Sequence, residues 1–173
     1  MVDQFQFFMD KANIDFTVNL ETMVAEILKA RELSLAVAES ITGGLLSERL
    51  TALPGSSSFF MGGVVCYSPR AKIIQTGIDP KIISEHGLVS EETALGLARG
   101  IRKRLLTDIG VSITGVAGPE PHGNMPVGTV FVAVATEQRD IVKEYDLAGD
   151  RAEIRRKSAQ AAIGILGNLF KEE

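Results

Sequence analysis

Apolar residues along this chain follow two spacings, and the switches between them mark its elements. Leu20, Met23, Val24, Ile27 and Leu28 recur at helical spacing, which predicts an amphipathic helix from about Thr17 to Arg31. Ser34-Leu35-Ala36-Val37-Ala38 is a short apolar run without charge, the pattern of a central strand covered on both faces. The run stops at Glu39-Ser40 and turns through Thr42-Gly43-Gly44 into a helix whose inner face is Leu46, Leu50 and Leu53, closed by Pro54-Gly55. Ser56-Ser57-Ser58 reads as a loop. Phe59 to Tyr67 reads as a second apolar strand, broken by Ser68-Pro69 before a short helix that begins at Arg70.

The pattern then favours helices before returning to strands. Asp79-Pro80 supplies a cap followed by proline at the first helical position, and that short element ends at Glu85-His86-Gly87. Ser90-Glu91-Glu92 starts a longer helix with its acids at the positive end of the dipole and a stripe of Ala94, Leu97, Ala98, Ile101 and Leu105. Ile109, Val111 and Ile113 alternate with Gly110 and Ser112, a strand that leaves through Thr114-Gly115-Val116-Ala117-Gly118-Pro119. Gly128 to Thr136 is strongly apolar, and the turn Glu137-Gln138-Arg139-Asp140 is short enough to make the edge strand Ile141 to Leu147 antiparallel to it. Asp150 and Glu153 form a capping-box-like start to the last helix, whose inner face is Ala161, Ala162, Ile165 and Leu169. The chain shows no internal repeat and no low-complexity segment. Together these elements predict a three-layer α/β/α domain with a mixed central sheet over residues 17–173, preceded by an N-terminal extension at residues 1–16.

Composition narrows the partners more than the fold. At 173 residues one domain with a sizeable core is expected. Eighteen basic against 22 acidic side chains give a net charge of −4, which argues against non-specific nucleic-acid binding. A single cysteine cannot make an internal disulfide, which suits a reducing cytoplasm. No apolar run is long enough to span a bilayer, and Met1 to Phe8 lacks the basic start and long apolar core of a signal peptide. Phe5, Phe7 and Phe8 in that stretch suit a cover for the domain or for a partner subunit, so a homo-oligomer, dimer or higher, is expected.

In an open α/β sheet, ligands bind at the carboxyl ends of the strands. Three such ends carry polar or glycine-rich residues here: Glu39 to Gly44, Tyr67 to Lys72, and Thr114 to Pro119. Brought together they supply a hydroxyl, an amine, a phenol and two sets of backbone donors, the groups needed for amide hydrolysis by a lysine-activated serine. Lys72 must be neutral to take the serine proton, which requires burial or a neighbouring positive charge. The turn at Gly43-Gly44 offers unpaired amides to an anion or a developing oxyanion, and the glycines admit a phosphate close to the backbone. The same residues also have plainer readings. Ser40 and Thr42 suit helix caps, Lys72 a solvated surface lysine, Tyr67 a strand aromatic and Cys66 a core thiol. His86 is a rival base at a helix end, and His122 has no second histidine or cysteine near it to hold a metal. Neither glycine loop matches a Walker A or dinucleotide fingerprint.

Seven blocks in unbroken order resemble the CinA C-terminal domain family. They are Ala38-Glu39-Ser40-Ile41-Thr42-Gly43-Gly44; Pro54-Gly55-Ser56-Ser57; Gly62-Gly63-Val64-Val65 with Tyr67 and Lys72; Glu85-His86-Gly87 with Val89-Ser90; Thr114 to Pro119; Pro126-Val127-Gly128-Thr129-Val130; and Gly149-Asp150-Arg151. The resemblance runs from about Leu20 to the C-terminus. It implies competence/damage-inducible proteins and, as an activity, nicotinamide-nucleotide amidase, which converts nicotinamide mononucleotide to nicotinate mononucleotide and ammonia in pyridine-nucleotide salvage. By that resemblance Ser40 attacks the carboxamide, Lys72 is its base, and Tyr67 orients the dyad or passes the proton to ammonia. Thr42, Gly43 and Gly44 would serve the oxyanion; Thr114, Gly115 and Gly118, with Arg151, would hold the ribose phosphate. No metal or organic cofactor is implied. The chain departs from the family pattern at Ile41, where cysteine is usual, and at Ser68-Pro69, where asparagine and an acid are usual. It departs again from Glu120 to Met125, where a glycine-rich loop leads to lysine. Residues 1–16 are too few to form the large N-terminal domain that many members carry. The resemblance thus implies a cytoplasmic amidase of a small-molecule nucleotide. Its competitors are a catalytically idle nucleotide- or partner-binding domain and a Ser40–His86 hydrolase.

Overall fold

The computed structural model describes residues 20–170, so the extension at 1–16 and its phenylalanines lie outside the described residues. Helix α1 (Leu20–Ala30) leads into β1 (Leu35–Glu39), and α2 (Leu45–Thr51) and a 3₁₀ turn at Ser56–Ser58 lead into β2 (Phe60–Val65). Three helices follow: α3 (Pro69–Thr76), α4 (Pro80–His86) and α5 (Glu91–Leu105). The chain then forms β3 (Ile109–Gly115), β4 (Thr129–Ala135), β5 (Asp140–Asp146) and the long α6 (Arg151–Leu169). The five strands make one sheet in the order β2-β1-β3-β4-β5. β2, β1 and β3 run parallel, and β4 and β5 are antiparallel additions, so the sheet is mixed as the sequence predicts.

The two faces of the sheet are covered by different helices for a reason visible in the strands. Leu35, Val37, Val111, Ile113, Val130, Val132 and Val134 form one large cluster with residues of α1, α2 and α6. The opposite face is built mainly from small residues, Ala36 and Ala38 against Leu97 and Ile101, and Ala133 and Ala135 against Ala94 and Ala98, with Phe131 the bulky member from β4. Small residues let α5 lie close to the sheet. A Cβ at Gly110 would stand 2.2 Å from the Ala98 carbonyl oxygen, and Ser112 Oγ donates to the Ala94 carbonyl at 2.5 Å. Strands β1 and β4 are fully buried, and β1 up to Ala38 and β4 from Val130 read as unbroken apolar runs because both faces are covered.

Local signals set the helix ends that matter for the site. Ser68 caps α3 by accepting the Ala71 amide, with Pro69 at the first helical position, so Ser68-Pro69 starts this helix one residue before the expected Arg70. Asp79 and Ser90 cap α4 and α5 in the same way, and Asp150 and Glu153 complete a reciprocal capping box on α6. α2 is different. Its cap position is Gly44, and neither Ser40 nor Thr42 caps it.

Candidate active site

The ends of β1, β2 and β3 converge on a cavity of about 220 Å³. Its walls include Ser40, Tyr67, Lys72, Thr114, Gly115, Gly118 and Arg151, so seven of the sequence-predicted site residues come together. Thr42, Gly43 and Gly44 do not line it. Ser40 sits one residue beyond β1, held by its amide donating to the Ile113 carbonyl at 3.0 Å, and is 9% exposed. Lys72 lies in the first turn of α3, directed inward, and is 2% exposed.

Lys72 Nζ lies 2.6 Å from Ser40 Oγ and donates to the Cys66 carbonyl at 2.9 Å. Burial pushes the Lys72 ammonium below its ordinary range, outweighing the opposing influence of Cys66. A neutral amine in this position has one N–H on the Cys66 carbonyl and its lone pair free for the serine proton. Burial also raises the Cys66 thiol, against the pull of Lys72, so Cys66 is a buried thiol whose carbonyl orients the Lys72 amine.

The structure assigns Tyr67 differently from the sequence. Its hydroxyl accepts from Arg151 Nη2 at 2.7 Å and makes no bond to Ser40 or Lys72 among the described residues; the ring is 59% exposed. Tyr67 therefore belongs to the rim with Arg151, whose Nη1 donates to the Gly118 carbonyl at 2.5 Å. Thr114, 1% exposed, donates its hydroxyl to the Leu88 carbonyl at 2.8 Å and helps shape the wall. Among the described residues the amides of Ala117 and Gly118 donate no hydrogen bond, and both residues line the cavity.

The expected oxyanion site at Gly43-Gly44 is occupied from within at Gly44. The Glu39 carboxylate accepts the Gly44 and Leu46 amides, each at 3.0 Å, the Ser47 amide at 2.8 Å and the Ser47 hydroxyl at 2.6 Å. The carbonyls on the other side of this turn are taken too. Arg155 of α6 donates to Ile41 at 3.1 Å and to Thr42 at 2.8 Å. Thr42 Oγ1 is buried with no partner among the described residues. Glu39, Arg155 and the Cys66 carbonyl are the participants that sequence reasoning missed. Glu39 belongs to the Ala38–Gly44 block, but nothing in its spacing shows that its side chain turns onto the next helix.

Other candidates fall away on position. His86 faces Glu92 at 3.3 Å and does not line the cavity, which removes it as the base for Ser40. His122 does line the cavity, beside Glu120, but no described cluster of three or more histidines, cysteines and acids could hold a metal. Ile41, 4% exposed, packs into the main core at the position where the family usually has cysteine. A larger cavity of about 450 Å³ opens at the opposite end of the strands, between Leu33, Leu106, Thr136 and Phe170, and has none of the dyad residues. No described helix is long and apolar enough to cross a membrane.

Comparison with known proteins bears on the whole domain. The family model of the CinA C-terminal domain matches residues 17–170. A CinA-like protein of Acidobacterium capsulatum is 47% identical over 148 residues, covering 85% of this chain and 36% of that protein. A CinA-like protein of Gemmatimonas aurantiaca is 47% identical over 144 residues, covering 83% of this chain and 34% of that protein. The chain thus spans about a third of the length of such relatives. Among solved structures, a competence-damaged protein (CinA) superfamily protein from Klebsiella pneumoniae superposes with a TM-score of 0.86 at 31% identity, covering 89% of this chain and 97% of that one. The competence/damage inducible protein CihA from Agrobacterium tumefaciens gives a TM-score of 0.83 at 31% identity, covering 87% and 93%.

Proposed function

The chain belongs to the CinA C-terminal domain family, and on that premise we propose that it is a Ser-Lys amidohydrolase acting on nicotinamide mononucleotide. The observation that carries the reading is the 2.6 Å approach of a buried Lys72 amine to the Ser40 hydroxyl. An isolated buried lysine is costly unless it is neutral or paired, and no carboxylate pairs with this one among the described residues.

In this mechanism Ser40 Oγ bonds to the carboxamide carbon while its proton passes to Lys72 Nζ. The tetrahedral intermediate collapses by breaking the C–N bond, and Lys72 returns the proton to departing ammonia. Water then attacks the acyl-Ser40 ester with Lys72 again as base, releasing the carboxylate and restoring the serine. Developing negative charge needs fixed donors; the amides of Ile41, next to the nucleophile, and of Ala117 and Gly118 belong to residues that line the cavity and donate no hydrogen bond among the described residues, and they would supply them. A volume of about 220 Å³ suits the reacting amide end, below the roughly 300–1,000 Å³ of pockets that enclose a drug-sized ligand. The phosphate end would lie at the rim, where Arg151 presents its guanidinium.

The test is ammonia release from nicotinamide mononucleotide by purified protein, against a Ser40→Ala control. Release in the native protein and none in the control is the expected outcome. Thermal stabilisation by the nucleotide without release would replace this reading with the binding-only alternative.

A further inference from the structure

Glu39 is a charged side chain with no solvent exposure at all, placed directly before the nucleophile. Both its oxygens accept only donors, four in total, which is the pattern of an ionised carboxylate. Fixed at the start of α2, it supplies the negative charge that a helix N-terminus favours. The reach from residue 39 back to residues 44, 46 and 47 closes a loop of which Ser40 is the first member.

Two consequences bear on the dyad. Strand-to-helix turns are ordinarily capped by a serine or threonine hydroxyl, and here such a role would consume Ser40 or Thr42. Because Glu39 satisfies the amides of Gly44, Leu46 and Ser47, the Ser40 hydroxyl is left for Lys72. Main-chain bonds tie the base to the same residue. The Cys66 amide donates to the Glu39 carbonyl at 2.8 Å, and the Cys66 carbonyl receives Lys72 Nζ at 2.9 Å. Serine and lysine are therefore both referenced to Glu39, one through a peptide bond and the other through Cys66.

We propose that Glu39 is the positioning residue of this site, an internal anion that takes over helix capping so that Ser40 stays free and fixed against Lys72. The proposal rests on Ser40 being the nucleophile. Its informative variant is Glu39→Gln, which keeps the shape but sets an amide NH₂ against N–H donors whichever way it is turned. Turned toward Ser47, it loses the Ser47 amide; turned toward the helix start, it faces the Gly44 and Leu46 amides, which cannot move away.

The experiment follows Ser40 with a fluorophosphonate probe and intact-mass detection, so that it does not depend on the natural substrate. Native protein should be labelled and Ser40→Ala should not; absence of labelling in the native protein would instead remove the nucleophile reading itself. Glu39→Gln should be labelled about 10- to 100-fold more slowly, the scale expected when a reacting atom is misplaced by about an ångström. Leu50→Ala, a core truncation in the same helix away from the turn, serves as the stability control and should label within about threefold of native. Ser47→Ala withdraws one hydroxyl donor while sparing the carboxylate, and should slow labelling about five- to tenfold, beyond the range of the Leu50→Ala control, even if the glutamine variant does not fold. With an amide substrate, the Glu39→Gln loss should fall on kcat and leave KM in place. Labelling of Glu39→Gln at the native rate, slowing no greater than that of Leu50→Ala, or an unchanged rate in Ser47→Ala would overturn the proposal.

Discussion

Two glycine-rich exits from parallel strands meet at this site, and they have been put to opposite uses. The turn after β1 runs through Gly43 and Gly44; the loop after β3 runs through Gly115 and Gly118. Either could cradle an anion. At the first, Glu39 holds the amides of Gly44, Leu46 and Ser47, and Arg155 holds the carbonyls of Ile41 and Thr42. At the second, the Ala117 and Gly118 amides are unpaired among the described residues, and Arg151 stands over the Gly118 carbonyl. A filled turn is rigid and suits a reacting group; an open loop suits a ligand. The division implies that changes at the first should act on kcat or stability, and changes at the second on KM.

The largest effect should come from Lys72, the base proposed for the filled turn. Lys72→Met keeps length and apolar bulk but has no lone pair for the serine proton, so kcat should fall by about three orders of magnitude or more. In the native protein burial lowers the Lys72 pKa, so kcat/KM should rise with pH through that depressed value and level off before the ordinary lysine range. Stability follows the same group with a defined sign. The folded chain binds fewer protons at Lys72 than the unfolded chain does, between its lowered folded pKa and the ordinary value of about 10.4. Unfolding free energy therefore gains from rising pH across that window, and Lys72→Met should remove this part of the slope in denaturant titrations. An activity profile flat in pH would break the assignment of Lys72 as base.

The next contrast sets one residue of each exit side by side. Arg151→Ala removes the guanidinium at the open loop and should raise KM for a phosphorylated substrate by about 10- to 100-fold, the scale of a lost charge-assisted hydrogen bond, with a smaller change in kcat. Gly44→Ala acts at the filled turn, where φ is 102° and a side chain strains the backbone. It should cost about 1–3 kcal/mol of stability, read by denaturant unfolding, and leave KM within about twofold. A KM rise in Gly44→Ala as large as that of Arg151→Ala would erase the distinction between the exits.

The sequence carried the order of elements, the mixed sheet and the convergence of Ser40 and Lys72 on one pocket. Helix caps at Asp79, Ser90 and Asp150 are local chemistry between neighbours, and the structure has them where the spacing puts them. The meeting of Ser40, Lys72, Thr114 and Arg151 follows from a general property of strand ends in parallel sheets. What was not legible is which free amides stay free. That depends on where one long side chain goes, and Glu39 could as well have faced solvent or substrate as turned onto α2. A strand-to-helix glycine turn has donors to spare, which makes Gly43-Gly44 look like an oxyanion site; Glu39 takes the amide of Gly44, and with it those of Leu46 and Ser47. Pro69, a departure from the family pattern, sits at the first helical position, where proline is compatible with the helix that carries Lys72 to Ser40.

The smallest effect is also the one that decides the role of Tyr67. If this phenol passed a proton to departing ammonia, Tyr67→Phe would remove the group that does so, and kcat would drop by about 10²–10⁴. The structure gives the hydroxyl a different bond, an acceptor contact with Arg151 at 2.7 Å, on a ring that is more than half exposed at the rim. Lys72, within reach of Ser40 and buried, can carry the proton both ways without a relay. Loss of the phenol oxygen then frees one guanidinium donor and loosens Arg151, which remains anchored on the Gly118 carbonyl. An exposed hydrogen bond of this kind is worth about 1 kcal/mol, so KM should rise about three- to tenfold while kcat and its pH dependence stay in place. Tyr67 thus belongs with the open loop, and a kcat loss larger than its KM effect would move it to the dyad.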